Sequence, residues 1–203
     1  VHHPDDSFDN TETNVDAMPG AEGKAAHKNL NIASFPGPAV APIVLPIRVN
    51  NADPARARDK SIWVDLKRYP GRARMIVPPL DLGAGRPRGA DSAGMAAFKT
   101  WAADHLKAVA ARQRGRSKSN AEWARQRIAD VKAAVAGGTA ADLSANDRAA
   151  APGVVYLKPG ESRTLFLLLE RPARARAGQT YEITIEQSDE ALPVAGMTVR
   201  VIA

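Results

Sequence analysis

The sequence predicts a mainly β domain interrupted by a pair of helices, and three observations predict it. Short apolar stretches of period two occur before residue 80 and again after residue 154. Turn formers separate them, with 15 Gly and 15 Pro among 203 residues. Between them, residues 91–138 switch to apolar spacings of three and four, the period of a helix. The reading divides the chain into an extended N-terminal arm (1–38), a β domain built from 39–90 and 139–203, and an inserted helical hairpin (91–138).

Residues 1–30 have scattered apolar residues and many turn formers. Such a segment buries too little surface to offset its ordering entropy, so it is expected to be ordered only where it lies on something else. His2, His3, Asp5, Asp6 and Asp9 carry metal-ligating groups, but their spacing matches no calcium loop or zinc motif, and a solvated polar tail is the plainer reading. In PIVLPIRVNN, Ile43, Leu45, Ile47 and Val49 alternate with Val44, Pro46, Arg48 and Asn50, a half-buried strand. Pro46 cannot donate to a ladder, which predicts an edge position or a bulge there.

The register of SIWVDLKRYPG follows from the cost of burying charge. Ile62, Val64 and Leu66 facing inward leave Trp63, Asp65 and Lys67 outside; the opposite choice buries an aspartate and a lysine. Trp63 therefore points away from the core and needs a cover or a partner. Arg74 to Val77 form a further short strand stopped by Pro78-Pro79, and LGAGRPRGA is a loop.

Asp91 or Ser92 caps a helix in which Met95, Phe98, Ala102, Leu106 and Val109 form a stripe ending near Gly115 and Ser117. Ser119 and Glu122 have capping-box spacing ahead of Trp123, Ile128, Val131 and Val135, with Gly137-Gly138 as the stop. Both stripes are narrow and rich in Ala, so the hairpin must lean on another surface, for which Trp63 is the candidate. TAADLSANDRAAAPG reads as an irregular return.

The stretch VVYLKPGESRTLFLLLER organises the whole. Two apolar strands are joined by a Lys-Pro-Gly-Glu turn. In the second, Leu165, Leu167 and Leu169 share one face, with Thr164, Phe166, Leu168 and Glu170 on the other, the pattern of a central strand covered on both sides. GQTYEITIEQ then alternates cleanly, with Tyr181, Ile183 and Ile185 inward, and Met197, Val199 and Val201 belong to the closing strand.

Several short alternating strands, a Pro-Gly turn and a Gly-x-x-Tyr lead into the penultimate strand resemble an immunoglobulin-like antiparallel β-sandwich, of the kind appended to secreted bacterial proteins. The resemblance covers residues 39–80 and 154–203. It implies a corner tyrosine at Tyr181, its hydroxyl bonded back to nearby backbone, and an extracellular or periplasmic location. The inter-sheet disulfide of antibody domains has no counterpart, because the chain has no Cys.

The absence of Cys also excludes thiolate zinc sites and a catalytic Cys, and no window approaches the roughly 18 apolar residues of a membrane span. The chain begins with Val1, which reads as a mature or trimmed form. The net charge is +6. It is uneven: residues 1–30 hold six Asp and Glu against two Lys, while 91–138 hold nine Lys and Arg against four acids. No nucleophile elbow, zinc-protease helix or phosphate-binding loop occurs, and Gly83-Ala84-Gly85 is too short for a dinucleotide site. The four His are His2, His3, His27 and His105; His105 shares a helical face with Trp101, which reads as packing or surface.

Neither a catalytic constellation nor a cofactor is expected. The competing signal is the basic run Arg112, Arg114, Arg116 and Lys118, continued by Arg125 and Arg127, read as a solvated hairpin tip able to meet a polyanion. The functional expectation is an exported, non-catalytic structural or interaction module that binds neighbouring chains or domains through sheet edges, arm and hairpin, with a protein rather than a nucleic acid as the expected partner. The alternatives are nucleic-acid or polyanion binding through the tip and an accessory domain of a larger secreted hydrolase.

Overall fold

In the computed structural model, the residues described are 8–9, 30–35, 42–51, 53–77, 92–112, 118–143, 148–150, 155–189 and 192–203. They form a mainly β protein of two sheets and two helices. The strands are β1 (Phe8–Asp9), β2 (Leu30–Ser34), β3 (Ile43–Asn50), β4 (Arg58–Asp65), β5 (Ala73–Val77), β6 (Thr139–Asp142), β7 (Arg148–Ala150), β8 (Val155–Leu157), β9 (Ser162–Leu169), β10 (Thr180–Asp189) and β11 (Leu192–Ile202). Helices α1 (Ser92–Arg112) and α2 (Lys118–Gly137) lie between β5 and β6.

One sheet has the order β1-β3-β9-β5-β6. The other has the order β2-β11-β10-β4-β7, with β8 also paired to β4. All pairings are antiparallel except those of the two N-terminal strands, β1 on β3 and β2 on β11. Strand β2 thus brings residues 30–34 of the expected arm into the six-stranded sheet.

The core between the sheets is made by the inward residues of both: Leu45, Ile47 and Val49; Ile62 and Val64; Leu165, Leu167 and Leu169; Ile183 and Ile185; Val199 and Val201. The predicted registers of β4, β9 and β10 are those observed. Strand β9 is central, flanked by β3 and β5, and is buried on both faces from Thr164 to Leu169. Pro46 stands opposite Phe166 without a register shift, so there is no bulge at that position. Among the described residues, its strand has only the two-residue β1 on the other side, close to the expected edge position.

Three expectations are corrected. The strands on either side of the Lys158–Glu161 turn do not pair with each other: β8 joins β4 in one sheet and β9 joins β3 and β5 in the other. The turn itself is as predicted, with Glu161 N–H donating to Lys158 O at 3.0 Å and Gly160 at φ 67°, a left-handed value that glycine adopts without strain. The irregular return contains two short strands, one on each sheet, held by backbone pairing that leaves little periodicity in three or four residues. Finally, the hairpin does not lean on Trp63. It packs on the outer face of the five-stranded sheet, where Phe98, Ala102, Val131 and Ala134 meet Val44, Ile76, Phe166 and Leu168. The molecule therefore has three layers: helices, five strands, six strands.

Candidate interaction surfaces

The seam between hairpin and sheet is apolar in the middle and polar towards its ends. Phe98 lies 5.0 Å from Phe166, ring centre to ring centre, and stacks on Trp101 at 5.4 Å. Trp101 in turn stacks on His105 at 4.5 Å, which accounts for His105 as packing, as the sequence suggested. Each large apolar side chain buried here contributes about 1.5–3 kcal/mol.

At one end, β5 pairs with β9 only as far as Phe166. Thr164, two residues beyond, donates its backbone N–H to the Asp130 carboxylate of α2 at 3.0 Å, so a helix side chain supplies the acceptor on the side that β5 has left. The other carboxylate oxygen accepts from Gln126 at 3.0 Å. Asp130 is buried, and that burial raises its pKa above the ordinary value. The Thr164 and Gln126 hydrogen bonds and the Arg163 charge act in the opposite sense. Beyond the other end of β9, buried Arg74 is ion-paired with Glu170.

A second polar knot sits where strands cross between sheets. The Asn51 side chain, 2% exposed, donates to Arg56 O at 2.7 Å, Lys158 O at 3.0 Å and Leu157 O at 3.2 Å. It ties the loop after β3 to the Pro-Gly turn. Elsewhere, buried Tyr69 donates its hydroxyl to Glu170 O, and its ring meets that of Tyr181 edge-on at 5.7 Å. The tyrosine-to-backbone bond expected at Tyr181 is thus made by Tyr69. A Cβ on Gly71 would lie 2.5 Å from Glu170 O and 2.7 Å from the Tyr69 ring, so glycine is required by this close approach.

The sequence-predicted contact residues are scattered. Trp63 is half-buried on the outward face of β4, in register with Glu186 of β10 and Ala150 of β7. Arg112 ends α1 and Lys118 begins α2, while Arg114 and Arg116 lie outside the described residues. Arg125 is exposed. Arg127, expected beside it in the solvated tip, is only 2% exposed. Two residues apart on a helix means about 200° around the axis, so the two arginines cannot share a face. Arg127 stands four residues before Val131 and seven before Ala134, on the buried stripe. The candidate metal group is outside the described residues except for the backbone of Asp9. Among the described residues, no group of three or more His, Asp or Glu is placed to hold a metal ion, and no helix is long and apolar enough to cross a membrane.

Sequence reasoning passed over Tyr156. It is 53% exposed and is in register with Asp59, which is exposed on the outward side of β4. The outward face of the six-stranded sheet therefore carries Tyr156 and Trp63, about 13 Å apart along β4 at strand rise. Asp59, Ser61, Asp65, Glu182, Thr184 and Glu186 share that face by alternation. Glu182 is engaged by Arg68 at 3.3 Å and Arg200 at 3.5 Å. The signal for Tyr156 was its position before inward Leu157, one step out of the alternation that the apolar run conceals. No protein-family model matches the chain, and no curated protein matches its sequence.

Proposed function

We propose that the chain is an exported, non-catalytic interaction module with an immunoglobulin-like sandwich, binding neighbouring protein chains or domains through its sheet edges, N-terminal strands and hairpin. Strand order supports the immunoglobulin-like part. With the hairpin set aside, β3, β9 and β5 lie side by side in one sheet and β4, β10 and β11 in the other. This is how that fold divides its second, fifth and fourth strands from its third, sixth and seventh.

The observation that carries the interaction reading is the outward face of the six-stranded sheet, where exposed Tyr156 and half-buried Trp63 stand among charged residues of both signs on the side away from the helices. Export rests on the resemblance to modules of secreted bacterial proteins, and fractionation of source cells tests it. For the interaction, the purified chain is cross-linked within its source fraction, alongside a Trp63→Ala/Tyr156→Ser double variant. A partner band lost in the double variant is the expected result, and identical bands from both chains refute the reading. Retention of oligonucleotides that disappears in Arg112→Ala/Arg114→Ala/Arg116→Ala would favour the polyanion alternative instead.

A further inference from the structure

We propose that the end of the sandwich formed by the β4–β5 and β9–β10 loops binds a linear polyanion bearing phosphate or sulfate groups. This goes beyond the protein contacts proposed above and uses cations other than those of the hairpin tip. Residues 66–72 contain Lys67, Arg68 and Arg72, and residues 171–179 contain Arg171, Arg174 and Arg176, with no Asp or Glu in either loop. The loops at the opposite end are balanced, Asp53 against Arg56 in one and Lys158 against Glu161 in the other.

The two basic loops are neighbours. Glu170 N–H donates to Arg72 O at 2.9 Å, the Tyr69 hydroxyl donates to Glu170 O, and Arg68 reaches Glu182, just past the second loop, at 3.3 Å. The second loop is also held in shape. Ala175 N–H donates to Pro172 O at 3.0 Å, Gln179 N–H to Arg176 O at 3.0 Å, and Arg176 N–H to the Gln179 side chain at 3.0 Å. A ligand therefore meets cations whose backbone is already ordered, which lowers the entropy lost on binding.

The acids at this end are Asp65, Asp142, Glu170 and Glu182. Asp65 accepts the Lys67 backbone N–H at 2.9 Å, Arg72 takes Asp142, buried Arg74 takes Glu170, and Arg68 and Arg200 share Glu182. A negative charge at Ala203, whose main-chain oxygen accepts from Gly178 N–H, would still leave this end positive. Lys67, Arg174 and Arg176 are exposed and have no ion pair among the described residues. Because they stand on two loops, several anionic groups of one chain can engage them together. Tyr69 and Tyr181 are buried, and the exposed neutral residues of the loops are Pro70, Ala173, Ala177, Gly178 and Gln179. These loops thus offer no exposed ring to stack on a base and no large apolar anchor for a folded protein. All their cations but Lys67 are arginines, whose planar fork meets a phosphate or sulfate with two bonds at once.

Fluorescence anisotropy of labelled polyphosphate and of labelled dextran sulfate, titrated with the full chain at several salt concentrations, tests this. At least one should bind at low salt, with affinity falling steeply as salt rises. Lys67→Gln/Arg174→Gln/Arg176→Gln should keep the wild-type melting temperature, weaken binding about tenfold or more, and make the log–log salt slope shallower by about two. Arg112→Gln/Arg114→Gln/Arg116→Gln removes the same charge from the hairpin tip and should leave binding unchanged. Binding of polyphosphate alone identifies a phosphate chain, binding of dextran sulfate alone identifies a sulfated glycan, and binding of both identifies the oxyanion as what is read; each supports the site. No binding of either, no loss in the loop variant, or an equal loss in the hairpin variant overturns the proposal. So does tighter binding of a single-stranded oligonucleotide than of both chains at equal charge, which would make nucleic acid the ligand.

Discussion

Asp130 makes the sharpest test of how the hairpin is held. Replacing it with Ala removes the acceptor for the Thr164 N–H, which donates to it at 3.0 Å in a buried setting and lies past the last residue that β5 pairs. Leaving a buried donor unmatched costs about 1–3 kcal/mol. For a chain of this length, that corresponds to a fall of roughly 2–4 °C in melting temperature per kcal/mol. Asp130→Asn keeps an oxygen for Thr164 and removes the buried charge, so it should cost less than Asp130→Ala. The pH dependence separates these effects. Burial raises the Asp130 pKa in the folded state, so the stability that comes from its protonated form is complete below the ordinary carboxylate pKa and is lost as pH rises through the folded value. Wild type should therefore gain on Asp130→Asn as pH falls from neutral into the acid range. Urea unfolding at several pH values measures the gap, and amide hydrogen exchange at Thr164 reads the bond directly. Equal stabilities for the Ala and Asn variants, with unchanged Thr164 exchange in both, would refute the reasoning.

The remaining predictions concern the joints of the sandwich. Asn51→Ala abandons three carbonyls that the side chain now serves and should lower stability by about 1–3 kcal/mol in urea titration. Gly71→Ala drives a methyl into Glu170 O and the Tyr69 ring and should destabilise by about 1–3 kcal/mol, visible as a lowered melting temperature. Burial, with the Tyr181 and Glu170 charges, raises the Tyr69 pKa above the ordinary tyrosine value. The stability this represents is whole below about pH 10 and declines as pH climbs through the folded value. Tyr69→Phe should flatten that alkaline decline while costing about 1 kcal/mol at neutral pH for the lost hydrogen bond. Leu168→Ala, beneath the hairpin, should cost about 2–5 kcal/mol. Trp63→Ala, outside both apolar clusters, should cost less in the same assay.

What was legible in the chain was what periodicity carries. Ile62 and Val64 had to face inward because Asp65 and Lys67 could not, and Leu165 to Leu169 had to be central because neither face was polar. Partnership between segments was not legible. Whether Val155–Leu157 pairs with the strand after its turn or with β4 depends on contacts about a hundred residues away in sequence, which local pattern does not encode. Strands as short as β6 and β7 have too few residues for a period to form. Arg127 was partly legible: its offset from Val131 places it on the buried stripe, and only the run of neighbouring arginines drew it to the surface. Asp130 left no signal of its own, since a carboxylate beside an apolar stripe reads as solvent-facing until the strand that needs its oxygen is known.

Val77 and Thr139 are register partners in adjacent antiparallel strands, so the chain departs from the sheet after Val77 and returns to it at Thr139, at neighbouring points. Topologically, that whole stretch occupies the place of a tight β-turn, and a short Asn-Gly link could close the gap without rethreading any strand. The excised form would keep its strand order yet bare Val44, Ile76, Phe166 and Leu168 to water, trading a compact body for an adhesive one. The same two ends mark where foreign sequence could be grafted, provided it brings an oily underside of its own.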